Sequence, residues 1–200
     1  MSPLTEQDRK TLLRLARQAF EDGVCGAFEP RELPHPAPAL IECRGAFVTL
    51  RKHGELRGCI GYVQSSAPLY KTIQECAVAA ALGDPRFRPV TPDETPLLHL
   101  EISVLTTPEE VAPDQIVIGQ HGLIISRGFR RGLLLPQVPV AWNWDREQFL
   151  EQTCLKAGLP SGAWRNGARI EAFTAEIFEE PLDSGVEPPS EHKIRHITSD

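Results

Sequence analysis

Residues 46–63, "AFVTLRKHGELRGCIGYV", decide how the rest of the chain is read. The runs on either side of His53-Gly54 are rich in β-branched and apolar side chains, and a two-residue step ending in glycine is turn chemistry, so a β-hairpin is expected. Without a bulge, the register pairs Lys52 with Glu55, Leu50 with Arg57 and Val48 with Cys59 on one face. Phe47, Thr49, Leu56 and Ile60 then take the other. Neither face is uniformly apolar, Gly58 and Gly61 invite a bulge, and a slip of one residue exchanges the faces. The direction in which Cys59 points therefore turns on one residue of register.

Helices are expected on both sides of the hairpin. Thr5 with Asp8 three residues on resembles a capping box, and Leu12, Leu15, Ala16, Ala19 and Phe20 recur at helical spacing until Gly23. Prolines 30, 34, 36 and 38 make an extended loop. Pro68 opens a second helix whose face carries Leu69, Ile73, Cys76, Ala77, Ala80 and Ala81, closed by Gly83. The segment "DPRFRPVTPDETP" (84–96) reads as a connector, and "LHLEISVL" (98–105) as a strand. Further strands are expected in 115–136, the last two joined across the basic tip "RGFRRG". Asp145 with Gln148 opens a helix ended by Gly158, and "RIEAFTAEIF" (169–178) reads as one strand. Residues 183–200 are polar and poor in aromatics, so they read as a mobile tail after a single domain over 1–182. This order of elements argues α+β with a mainly antiparallel sheet.

The composition narrows the function classes. Two hundred residues with 41% hydrophobic content suit one globular domain. A net charge of −6 argues against general binding to a phosphate backbone. Five cysteines, odd in number, far apart and without a CxxC pair, fit reduced thiols in a cytoplasmic protein better than disulfides or zinc ligands, so no metal and no cofactor is expected. No signal peptide or membrane-spanning run is expected, and the nucleotide and hydrolase signatures are missing.

Cys59 is the leading chemical candidate. A thiol beside Arg57 on one strand face becomes a better nucleophile, and the bare backbone of Gly58 and Gly61 admits a ligand closely. Equally, a small residue between glycines suits a crowded crossing of helix and sheet. His121, flanked by Gly122, is a candidate base for Cys59 or a turn residue. Arg127, Arg130 and Arg131 around the tip are candidate contacts for phosphate, RNA or an acidic partner, or a solvated turn. Phe87 is expected to pack inward with Arg86 left as a candidate functional group, and Trp142 and Trp144 are expected as core anchors.

Taken together, "LRGCIG" (56–61), "AAALGDPRFRPV" (79–90), "LEISVLTTPEEV" (100–111), "IGQHGLIISRGFRRGLLLPQV" (118–138) and "WDREQFLEQTCLKAGL" (144–159) resemble the AMMECR family in order and over residues 8–180. The resemblance implies a larger subdomain holding both termini, a smaller inserted one, and the hexamer near their junction. It implies no established activity. It does imply association with a Memo-like protein and a radical S-adenosylmethionine protein, the partners after which the prokaryotic AmmeMemoRadiSam system is named. The matching polar positions are Arg57, Cys59, Asp84, Arg86, Glu101, His121, Arg130, Arg131, Gln137 and Cys154, while "QVPVAWNWD" (137–145) departs from the family pattern at Pro139 and Trp142. Three readings follow. The chain is an accessory or binding module for those partners, or an enzyme component using Cys59, Arg57 and His121 on a small molecule in an inter-subdomain cleft, or a nucleic-acid contact through Arg127–Arg131.

Overall fold

The structure, a computed structural model, describes residues 2–181. The expected tail at 183–200 lies outside the described residues. In chain order the elements are α1 (Glu6–Val24), α2 (Pro38–Ile41), β1 (Ala46–Lys52), β2 (Glu55–Tyr62), α3 (Leu69–Leu82), β3 (Leu98–Leu105), β4 (Glu109–Glu110), β5 (Gly122–Arg127), β6 (Arg130–Leu134), α4 (Gln137–Ala141), α5 (Arg146–Lys156), β7 (Arg169–Phe173) and β8 (Ala175–Glu179). The fold is α+β, with antiparallel pairing of β1 with β2 and β3, and of β7 with β4 and β5. The described residues divide into two units, 2–105 with 176–181, and 106–175.

In the first unit the cap at the start of α1 works as the sequence predicts. Thr5 Oγ1 accepts from Asp8 N–H, Asp8 returns a carboxylate oxygen to Thr5 N–H, and two orphan donors are satisfied. Gly23, however, does not end α1. It lies buried inside the helix, where an added Cβ would stand 3.1 Å from Val78 of α3, so it is the point at which the two helices approach. The left-handed residue after the helix is Gly26, at φ 73°. Both helices serve a sheet of order β2-β1-β3-β8. Phe20, Leu50, Ile73, Leu100 and Ile102 are fully buried between them.

The hairpin departs from the simple register. His53 and Gly54 both take positive φ, 51° and 81°, as a two-residue turn requires. Arg51 then pairs with Leu56 but Leu50 with Gly58, leaving Arg57 as the extra residue of a bulge. Cys59 consequently sits opposite Thr49, and Ile60 opposite Val48. Packing explains the choice. An added Cβ on Gly58 would lie 2.1 Å from the Ala80 carbonyl of α3, so only a bare backbone fits beneath that helix, and Ile60 joins the apolar core beside it. The regular register would have turned Cys59 inward and Ile60 outward.

The second unit has its own sheet, β4-β7-β5-β6, and its own core of Ile116, Leu123, Ile125, Phe149 and Leu150 beneath α5. Asp145 and Gln148 form the expected capping box, and Gly158 follows α5 at φ 69°. Two expectations fail here. Residues 169–178 are not one strand, because Thr174 N–H donates to Thr106 Oγ1 while Thr106 N–H donates to the Thr174 carbonyl. A side-chain acceptor replaces a backbone one and the ladder stops, so β7 and β8 belong to different sheets. Trp142 is not a core anchor either. It is 48% exposed and stacks on Trp144, whose ring alone packs against the core.

Candidate functional site

Around Cys59 the first unit gathers Thr49, Asp84, Arg86 and Glu101. Cys59 and Thr49 are opposite residues of β2 and β1, on the sheet face away from Ile60 and the helices. Thr49 Oγ1 donates to Cys59 Sγ at 3.3 Å, and the sulfur belongs to a half-buried residue. Glu101 lies opposite Thr49 on the far side of β1, so alternation puts Cys59, Thr49 and Glu101 in one row across three strands. Arg51 Nε stands 3.9 Å from the Glu101 carboxylate.

Asp84 and Arg86 hold the backbone at the same point. Because β2 is the outermost strand, Cys59 has a peptide N–H and C=O turned away from β1. Asp84 Oδ2 accepts from that N–H at 2.9 Å, and Arg86 Nη2 donates to that carbonyl at 3.3 Å. The two side chains are joined by Arg86 Nε to Asp84 Oδ1 at 2.9 Å and Nη2 to Oδ2 at 2.6 Å. A carboxylate and a guanidinium thus occupy the place of a neighbouring strand. The Arg86 guanidinium, helped by the N–H groups of Cys59 and Arg86, holds the buried Asp84 carboxyl far below the usual range.

Arg57 takes a different course. The bulge sends its guanidinium to Glu94, with Nη2 to Oε2 at 2.9 Å, and to the carbonyls of Arg88 and Pro89. Lys52 adds a bond to Glu94 at 2.9 Å, and hydrogen bonds from Arg57 and then Lys52 depress the Glu94 carboxyl to about 2. Arg57 therefore ties the hairpin to the 3₁₀ turn Pro92–Leu97, and the guanidinium at the Cys59 backbone is that of Arg86. The residue that sequence reasoning missed is Thr49. Its signal was the glycine at 58, which only a bulge could place under α3.

The remaining candidates lie in the second unit. His121 Nδ1 accepts from Val117 N–H at 3.2 Å and closes the turn before β5. Gln137 is exposed at the start of α4, and Cys154 is fully buried. At the β5–β6 tip, Gly128 takes φ 61° and Phe129 is fully exposed. Arg127 donates to the Asn166 carbonyl at 3.4 Å and Arg130 to the Gly158 carbonyl at 2.7 Å, while Arg131 is exposed. The unit also has a shallow cavity of about 410 Å³ walled by Pro113, Asp114, Asp145, Leu150 and Trp164, none of them a sequence candidate. Among the described residues no three metal-ligating side chains converge, and no helix is long and apolar enough to cross a membrane.

Comparison with known proteins agrees with this architecture. The AMMECR1 family model matches residues 13–178. A protein of Methanothermobacter thermautotrophicus is 45% identical over 90% of this chain and 97% of its own length. One from Thermococcus kodakarensis is 47% identical, over 87% of this chain and 91% of its own. The crystal structure of an uncharacterized protein, PH0010, from Pyrococcus horikoshii superposes with a TM-score of 0.77 at 44% identity, covering 84% of this chain and 89% of that one. With the hexamer in its hairpin and the match spanning both units, the chain belongs to the AMMECR1 family.

Proposed function

We propose that the chain is a binding module that docks on partner proteins through the β5–β6 hairpin, its partners being the Memo-like and radical S-adenosylmethionine proteins that the family resemblance implies. The observation that carries this reading is Phe129, wholly exposed between arginines. An aromatic ring held in water at the end of a two-residue turn gains nothing for the fold. Arg127 and Arg130, tied to backbone carbonyls on either side, limit the freedom that would be lost on docking. Aromatic and arginine side chains are the commonest energetic anchors of protein interfaces. The test is capture of the two partner proteins by wild type, Phe129→Ala and Arg131→Glu. Each substitution should weaken capture by about tenfold or more, with the thermal midpoint unchanged because neither side chain is buried. Undiminished capture by both variants removes the hairpin from the reading.

A second reading, thiol chemistry on a small molecule at Cys59, is favoured by the Thr49 hydroxyl aimed at the sulfur and by the Asp84–Arg86 clamp on its backbone. In this reading Arg86 replaces Arg57 as the neighbouring cation, while His121 holds the turn before β5. Loss of turnover in Cys59→Ser with partner capture intact would favour it over docking alone.

A further inference from the structure

β6 is the last strand of its sheet, and the two-residue turn determines which of its backbone groups are already paired. Arg130 faces Arg127 and Gly132 faces Ile125. Across a two-residue turn these are the hydrogen-bonded pairs, so Arg131 and Leu133, opposite Ser126 and Ile124, point their N–H and C=O groups outward. Among the described residues no strand lies beyond β6, and no hydrogen bond engages those outward groups. At the other unit's edge the corresponding groups of Cys59 are covered by Asp84 and Arg86. Among the described residues the β6 edge has no such cover.

We propose that this edge accepts an extended acidic segment of a partner protein as a fifth strand, an inference that rests on the hairpin being the docking element. Backbone pairing with Arg131 and Leu133 supplies the ladder, and alternate side chains of the added strand meet the arginines of the tip. Charge selects the occupant. A second copy pairing β6 against β6 through these groups sets Arg131 of each chain opposite Leu133 of the other and the two Arg131 side chains diagonally adjacent on one face, which like-charge repulsion disfavours. An RNA strand offers phosphate acceptors to the arginines, but its donors are hydroxyls and not the alternating N–H and C=O groups that match the outward pairs of Arg131 and Leu133. An acidic peptide backbone offers both.

The probe is an end-blocked peptide of about eight residues alternating Glu and Val, titrated against the full chain. Its controls are a Lys-Val peptide, a uridylate oligomer, and the Glu-Val peptide N-methylated at every second residue in each of the two phases. Wild type and Arg131→Gln should bind the parent peptide. Arg131→Pro, which deletes one outward N–H at an edge position where proline is tolerated, should bind about tenfold more weakly than Arg131→Gln. One N-methylated phase should lose affinity likewise, and this arm holds even if the proline variant folds poorly. Equal binding of the parent and both methylated peptides overturns strand addition while leaving docking by charge intact. No binding of the parent peptide, or tighter binding of the uridylate, overturns the inference too. Failure of the hairpin reading itself shows separately, as undiminished partner capture by the Phe129 and Arg131 variants.

Discussion

At Cys59 one inserted residue decides what chemistry is within reach. The bulge at Arg57 carries the sulfur to the Thr49 side and leaves the guanidinium on Glu94. Alkylation of the folded protein should follow exposure, with Cys25 and Cys43 first, Cys59 next, and Cys76 and Cys154 silent until denaturation. Burial pushes Cys76 up to about 12 and also raises Cys154. Thr49→Val should change the rate of Cys59 labelling several-fold, read by mass spectrometry, because the hydroxyl that donates to the sulfur is removed. A rate equal to wild type would mean that the hydroxyl does not act on the sulfur. Gly58→Ala should destabilise the fold by about 2 kcal/mol or more in urea titrations, since the new methyl meets the Ala80 carbonyl rather than a movable side chain. The sequence showed that Gly58 and Cys59 were special, but not why. The competition between two faces is settled by α3, which is remote in sequence from the strand it covers.

Among the elements, local signals were legible and distant ones were not. Thr5 with Asp8 and Asp145 with Gln148 announce helix starts because a capping box needs only residues three apart. The break at Thr174 was invisible, since it depends on Thr106, which neighbours it only after folding. The proline-rich loop is irregular as expected up to Ala37, whereas Pro38 opens α2, and the loop's anchor is not legible in the sequence. Gln74, fully buried in α3, accepts from Arg31 N–H at 2.8 Å and donates to the Arg31 carbonyl at 3.0 Å, so a side-chain amide takes the part of a neighbouring strand. Gln74→Leu should cost about 1–3 kcal/mol by leaving both Arg31 groups without their partner. It should also raise amide exchange and proteolysis within residues 29–36. An unchanged exchange pattern there would show that the prolines alone hold the loop.

For the whole molecule, the depressed carboxyls define how stability answers to acid. Glu94 has a folded value of about 2 against an ordinary 4.5, so its contribution is complete above about pH 4.5 and is lost as pH falls toward 2. Asp84 is held lower still and keeps its share further into acid. Denaturation midpoints of wild type should therefore fall between pH 4.5 and 2, while Glu94→Gln, less stable at neutral pH, should fall less over the same interval. Parallel curves for the two proteins would assign the acid response to other groups.

The two units also differ in when they can be finished. Residues 106–175 are contiguous, whereas the first unit needs β8 and Glu180, whose carboxylate receives Arg17 of α1 and whose N–H donates to the Leu100 carbonyl. On a ribosome the inserted unit emerges whole while its host still lacks its last strand. The edge of β3 then stays open for the time taken to synthesise everything between Leu105 and Ala175. A stall or truncation in that interval would release a nascent chain with an unpaired strand flank, the form most prone to aggregate.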